Sequence, residues 1–163
     1  MALENLHDLF VHELKDLYSA ENQILKALPK MVEAATSEEL AQAFAKHLHE
    51  TEGHVTRIET IFRDLDGSPR GKKCAGMEGL LKEGKEVMQE EAAEWVMDAA
   101  LIGAAQRVEH YEMAGYGTAR DHAYKLGLSQ AAQLLQQTLD EEGAADKKLT
   151  EIAESSINAL AAL

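Results

Sequence analysis

Apolar residues return every three or four positions along four long stretches of this chain, the period of one buried face of an α-helix. From Leu6 the series runs through Leu9, Phe10, Leu14, Leu17, Ile24, Leu28, Met31 and Val32, which predicts a first helix over residues 3 to 34. Pro29 falls inside that pattern, so a kink or an early end is expected there. Thr36-Ser37-Glu38-Glu39 offers a hydroxyl cap followed by acids that suit a helix N-terminus, and Leu40, Phe44, Leu48, Val55, Ile58 and Ile61 carry a second helix to about Leu65. Asp66-Gly67-Ser68-Pro69-Arg70-Gly71 is a strong turn cluster that opens a long connection, with room for a short helix from Met77 to Met88. A third long helix is predicted from Glu91 through Trp95, Ala99, Ile102, Val108 and Met113 to about Leu126, where Gly127 can take the left-handed conformation that ends helices. Ser129 stands where it could cap a fourth, ending near Leu160.

Two hairpins of long helices joined by one long crossover are the layout of a ferritin-like bundle; an up-and-down bundle needs only short loops. The expected fold is therefore all-α, a ferritin-like four-helix bundle whose long crossover between helices two and three holds a short extra helix, with residues 1–163 forming a single domain. Two prolines, three phenylalanines and one tryptophan leave little material for strands. The halves resemble each other faintly, Leu48-His49-Glu50 with Ile58 and Ile61 falling at the spacing of Leu139-Asp140-Glu141 with Leu149 and Ile152.

Several function classes drop out. A formal charge of −13, with no run of clustered Lys or Arg, argues against a nucleic-acid partner. No stretch approaches the roughly 18 consecutive apolar residues of a membrane span, and the first twenty residues carry charges throughout, unlike a signal peptide, so a cytoplasmic protein without a membrane partner is expected. The lone cysteine, Cys74, reads as an incidental free thiol in a connection.

The informative residues are polar ones set on the apolar stripes. Glu21 lies seven residues after Leu14 and three before Ile24. In helix two the series 40, 44, 47, 51, 54, 58 includes His47 and His54, with Glu50 between them on adjacent turns. Gln106, Glu109 and Glu112 interrupt the third stripe, and Glu142 interrupts the fourth, with Glu141 beside it. Taken singly, such a glutamate can tilt to solvent or pair with a lysine, and such a histidine can be a hydrogen-bonded helix residue. His110 and His122 read as surface residues, and Arg57 and the other cations mostly fall off the stripes. Carboxylates pointing inward from all four helices are another matter, because unpaired charges in a core cost several kcal/mol each. Hard cations bridged by oxygen ligands and completed by imidazole would relieve that cost, as in di-iron and di-manganese bundles.

The runs HDLFVHELKDLYSAENQILKALPKM, HLHETEGHVTRIETIF, DAALIGAAQRVEHYEMAGYGTA and LLQQTLDEEGAADKKLTEIA resemble the YciE/YciF family of ferritin-like bacterial proteins over almost the full length. The resemblance implies a four-helix ferritin-like fold, a homodimer or higher homo-oligomer, a cytoplasmic location and a link to stress responses. Against the rubrerythrin-like di-iron pattern, Glu21 resembles the first-helix metal ligand, Glu50 the second, Glu109 and Glu112 the third-helix pair, and Glu142 the fourth. The pattern also has a histidine three residues after the carboxylate in helices two and four, where this chain has Gly53 and Ala145. His54, one place later, substitutes in helix two; helix four offers only Asp146, and whether His47, Glu141 or Asp146 joins the site is left open. Such a carboxylate-rich, nitrogen-poor set is expected to bind weakly or to favour manganese over iron.

The expected function is thus a stress-associated ferritin-like protein holding two iron or manganese ions per chain in a carboxylate-bridged centre, with oxidase or peroxidase-type chemistry. The alternative is a non-catalytic stress or scaffold homo-oligomer with a relic site. Tyr18, Tyr111 and Tyr116 are candidates for electron relays, with packing the more expected role for each, and iron storage in a shell is a weaker third reading.

Overall fold

The computed structural model describes residues 3–163 and turns the periodic stretches into helices: α1 (Leu6–Ala34), α2 (Glu38–Asp64), α4 (Glu94–Lys125) and α5 (Ser129–Ile152), with α3 (Ala75–Val87) in the crossover. No strand occurs among the described residues, and no helix is long and apolar enough to cross a membrane. α1 pairs with α2 and α4 with α5; α1 also lies along α4 and α2 along α5, closing a ring of four with α3 packed across α4 and α1. This is the ferritin-like four-helix bundle with its long crossover.

The helix ends follow from capping chemistry. Asn5 accepts a hydrogen bond from the Asp8 amide at 3.0 Å, satisfying one orphan donor of α1, and Asp8 accepts one from the Glu4 amide just before the cap at 3.1 Å. Ser37 caps α2 through the Leu40 amide. The amides of Thr36 and Ser37 donate to the two oxygens of Asp98 on α4, at 2.8 and 2.7 Å, tying the α1–α2 turn to the second hairpin through a fully buried carboxylate. α4 ends with Gly127 at φ 73° and the Leu128 amide bonded to the Ala123 carbonyl, the pattern of a left-handed C-terminal cap.

Several expectations need correction. α1 does not end at Pro29 but continues to Ala34; Pro29 is exposed, where solvent can satisfy the carbonyl its ring leaves unbonded. α4 starts at Glu94, three residues after Glu91. Ser129 does not cap α5: the turn through Gly127 seats Leu128 at the cap position and against the apolar core, leaving Ser129 as the first helical residue. The last helix is not uninterrupted, since Ala153–Ile157 forms a π-turn in which the Ser155 and Ser156 hydroxyls both donate to the Ile152 carbonyl, before a short α6 (Asn158–Ala161). Cys74 is no bystander either. It is 1 % exposed, its sulfur accepts from the Met77 amide at the start of α3, and it contacts the Tyr111 hydroxyl at 3.0 Å and Asp16 at 3.1 Å; burial raises its thiol pKa.

The core divides in two along the bundle axis. One apolar cluster gathers Ile24, Leu28, Phe44, Leu101, Val108 and Leu149; the other gathers Phe10, Leu17, Ile58, Phe62, Tyr116 and Leu135. On every long helix the residues between the two clusters are polar: Glu21 on α1, His47, Thr51 and His54 on α2, Glu109 and Glu112 on α4, Thr138 and Glu142 on α5, all buried.

Asp98→Ala would leave two interhelical amides without their acceptor, and is expected to lower unfolding free energy by roughly 2–4 kcal/mol in denaturant titration with helix content unchanged. A loss below about 0.5 kcal/mol would show that the α1–α2 turn does not depend on this anchor.

Candidate metal centre

The polar layer brings ligand-type atoms together from all four long helices. One oxygen of Glu142 lies 3.0 Å from His54 Nδ1 and the other 3.7 Å from His47 Nε2, so a single carboxylate faces both imidazoles. His54 Nδ1 is also 3.2 Å from Glu21, and His47 Nε2 is 3.2 Å from Glu109. Two groups result, each with donor atoms within 4.8 Å of one another: Glu21, His54 and Glu142, and His47, Glu109, Glu112 and Glu142. Glu142 belongs to both.

An outer set of side chains aims the inner ones. His54 Nε2 is 2.9 Å from Glu141, which Arg57 grips with two hydrogen bonds of 2.7 and 2.8 Å while also donating to Thr138 at 3.0 Å. With its outer nitrogen engaged, His54 presents Nδ1 to the layer, the arrangement that orients metal-bound histidines. The Tyr116 hydroxyl donates a short hydrogen bond to one Glu21 oxygen and leaves the other without a partner. Thr51 donates to the His47 backbone carbonyl at 2.8 Å.

Of the site residues predicted from sequence, Glu21, His54, Glu109, Glu112 and Glu142 are drawn into the layer, and Glu50 is not. Glu50 stands at the flank, its side chain 20 % exposed, 3.0 Å from Lys46 and 3.8 Å from His47 Nδ1. Asp146 is engaged elsewhere, with Gln106 at 3.1 Å and the exposed His110 at 3.3 Å. His122 is half-buried. His47, which the sequence left open, faces the layer, and Arg57, read as off the stripe, braces it from outside.

The weak internal repeat contains a signal for this arrangement. The register that aligns Leu48 with Leu139 and Glu50 with Glu141 sets Glu21 opposite Glu112, Thr51 opposite Glu142 and His54 opposite Ala145. Glu50 therefore corresponds to the flanking Glu141, not to the central Glu142. Each half lacks one member of a Glu-x-x-His pair, carboxylate in the first and imidazole in the second, and His47 and Glu109 supply the missing kinds of donor. The inner set holds four glutamates and two histidines, the same donors as in di-metal carboxylate bundles, though differently distributed among the helices.

The electrostatics show what the layer lacks. Burial raises the pKa of Glu109 and of Glu112 well above the ordinary carboxyl range, reinforced by the neighbouring carboxylates, and raises that of Glu142. Burial alone would depress His54, but Glu142 and Glu21 overcome it and hold the imidazole at about 10; His47 is raised in the same way by Glu50 and Glu109. Outside the layer the sign reverses. Hydrogen bonding to His47 and the charge of Lys46 hold Glu50 at about 2, and Arg57 outweighs burial to lower Glu141. Eleven buried side-chain nitrogen and oxygen atoms among the described residues make no well-formed hydrogen bond in the protein, and nine belong to Glu21, His47, His54, Glu109, Glu112 and Glu142; the His47 nitrogens, His54 Nδ1 and the Glu142 oxygens among them still lie 3.0–3.8 Å from an opposite charge, whereas one oxygen each of Glu21 and Glu109 and both of Glu112 have no partner of either kind. Buried polar atoms are rarely orphaned, and four carboxylate oxygens without any partner in one layer set this region apart from the rest of the core.

Comparison with known proteins agrees with this architecture. The chain is 45 % identical over 159 residues to protein YciF of Escherichia coli K12, covering 97 % of this chain and 96 % of YciF. It superposes on the crystal structure of that E. coli stress protein with a TM-score of 0.92 at 46 % identity, over 95 % of this chain and 98 % of the other. YcfI of Rhodopseudomonas palustris, proposed there to be a structural protein, matches with a TM-score of 0.88 at 43 % identity, over 91 % and 94 % of the two chains. A Xanthomonas campestris protein at 21 % identity, with a TM-score of 0.75 over 94 % of each chain, shares the fold. Residues 5–162 match the family described as domain of unknown function DUF892. The chain belongs to that family, and within it is a homologue of the stress protein YciF.

Proposed function

We propose that the polar layer is a di-metal centre that would hold two iron or manganese ions per chain, with Glu21 and His54 as donors on one side, His47, Glu109 and Glu112 on the other, and Glu142 common to both sets. The observation that carries this reading is the convergence of six buried residues of ligand type from four helices, four of whose carboxylate oxygens have no partner in the protein. Charge supports it: four glutamates would carry four negative charges in a layer closed by apolar clusters, and two divalent cations balance them. The two imidazoles make the set richer in nitrogen than the sequence pattern implied, which removes the reason to favour manganese over iron.

Such ions, when bound, supply Lewis acidity and one-electron steps with oxygen or peroxide. The residues provide the rest. Glu141 and Arg57 fix the tautomer and ring direction of His54, Tyr116 holds the Glu21 oxygen that faces His54 and leaves the second oxygen without a partner, and the two apolar clusters flank the layer. In the cell we place the protein in the cytoplasm as a single-domain homo-oligomer acting in a stress response, as the YciF likeness suggests.

A scaffold reading retains two supports. Raised carboxyl and imidazole pKa values let the layer hold protons in place of metal, and one relative is described as a structural protein.

Elemental analysis of protein purified without chelators separates the two readings, with about two iron or manganese ions per chain expected. Glu142→Ala should lose both ions and Glu109→Ala at least one, whereas Glu50→Ala should keep both, because Glu50 stands outside the layer. A metal-free wild type, or a Glu142→Ala variant that keeps both ions, refutes the centre.

The raised pKa values also give a sign for stability against pH in the metal-free protein. Glu109, Glu112, Glu142, His47 and His54 all bind protons more tightly folded than unfolded, so their contribution is full at low pH and is lost as pH rises from the unfolded carboxyl value of about 4.3 toward the His54 value of about 10. Glu50 and Glu141, both lowered, stay ionised throughout and do not contribute above pH 6. The melting temperature of chelator-treated protein should therefore fall by on the order of 5 °C between pH 6 and 9, while metal-loaded protein should lose its stabilisation on acidification as protons displace the ions. A metal-free melting temperature that rises over the same range would contradict the assigned protonation.

A further inference from the structure

The apolar cluster on the His47 side of the layer is not solid. A cavity of about 50 Å³ lies within it, walled by Ile24, Leu28, Phe44, Val108 and Leu149 and reaching His47 and Glu109. Lys46 and Lys148 stand at its rim, exposed and engaged with Glu50 at 3.0 Å and Glu39 at 2.7 Å. The cavity also borders Ala145, one turn beyond Glu142. That is where the Glu-x-x-His pattern would place an imidazole. A methyl group there leaves space beside the His47 half and supplies no donor, so this flank of the layer has room for an outside ligand.

Size and lining decide which ligand fits. An apolar cavity that takes benzene measures roughly 150 Å³, so about 50 Å³ is too small for an organic substrate. Hydrogen peroxide or water would find hydrogen-bond partners only at the rim, from Lys46, Glu50 and Lys148, and at His47 and Glu109, because the remaining wall side chains are hydrocarbon. A small apolar diatomic molecule meets both conditions. We propose that this cavity is the dioxygen-binding side of the centre, opening onto the His47–Glu109 half and kept clear by Ala145. The assignment rests on the di-metal reading and narrows its oxidant to dioxygen.

Xenon, of similar size and polarity, is the probe. Crystals of metal-loaded protein pressurised with xenon should show a xenon atom between Phe44, Val108 and Ala145, and Ala145→Leu should abolish that site. The same variant, filling space without touching the donor atoms, should keep the wild-type metal content, melt no lower than wild type, and slow severalfold the oxidation of its anaerobically loaded ferrous form on mixing with dioxygen. Ala105→Val, which narrows the cavity from α4, provides a second test of the same three readouts. Wild-type protein with both ions bound and no xenon in the cavity overturns the proposal and leaves the centre standing. So does an Ala145→Leu variant with full metal that oxidises at the wild-type rate. Wild-type protein that binds no metal refutes the centre itself, and the dioxygen assignment with it.

Discussion

Four glutamates and two histidines in a layer closed by hydrocarbon at both ends are the constraint on which the rest of this structure depends. Ionised and unpaired, the carboxylates would cost far more than the net stability of a domain this size, on the order of 5–15 kcal/mol. The fold exists because the layer is neutralised, by cations or by protons. Other features follow from that requirement. The bundle has two apolar clusters in place of one continuous core, and each long helix changes from apolar to polar and back at the same depth. Glu50 and Glu141, the carboxyl groups with lowered pKa values, are displaced to the flanks, where Lys46 and Arg57 balance them.

The flanking pairs show how a nearly dry layer is held to one geometry. Arg57 could have entered the layer and neutralised a glutamate directly. It instead grips Glu141 from the half-exposed surface, and Glu141 in turn holds the outer nitrogen of His54. The positive charge thereby fixes an imidazole direction without consuming an inner carboxylate. Tyr116 acts on Glu21 in a comparable way from the second apolar cluster, where its ring also packs edge-on against His54 with centroids 6.2 Å apart. These contacts fix where His54 and Glu21 point without drawing the Arg57 charge into the layer, and so they specify a geometry more than they add stability.

The helices were legible in the sequence because each long segment carries an amphipathic stripe, and the crossover because its turn chemistry is concentrated between Asp66 and Gly71. Glu21, Glu109, Glu112 and Glu142 were legible for the same reason, as carboxylates standing where the stripe demands hydrocarbon. Glu50 is set apart from the layer by its angle on the helix. The helix-two stripe passes through residues 47, 51 and 54, and Glu50 lies one position off it, where a long side chain reaches Lys46 and solvent. His47 sat on the stripe but offered no motif spacing to mark it. Arg57 could not be placed from periodicity at all, since its role depends on the α2–α5 distance and on the reach of its side chain to Glu141. The π-turn at Ala153–Ile157 and the Leu128 cap were hidden for a related reason: hydroxyl back-bonding and the docking of one leucine, not propensity, decide them.

Anomalous diffraction from crystals of the metal-loaded protein, collected above and below the iron and manganese absorption edges, tests the central claim most directly. The account predicts two anomalous peaks in the polar layer, roughly 3.5–4 Å apart, with Glu142 between them and Glu50 outside bonding distance of both. A layer without anomalous density in protein that still binds metal at its surface, or a single ion held through Glu50, would contradict it.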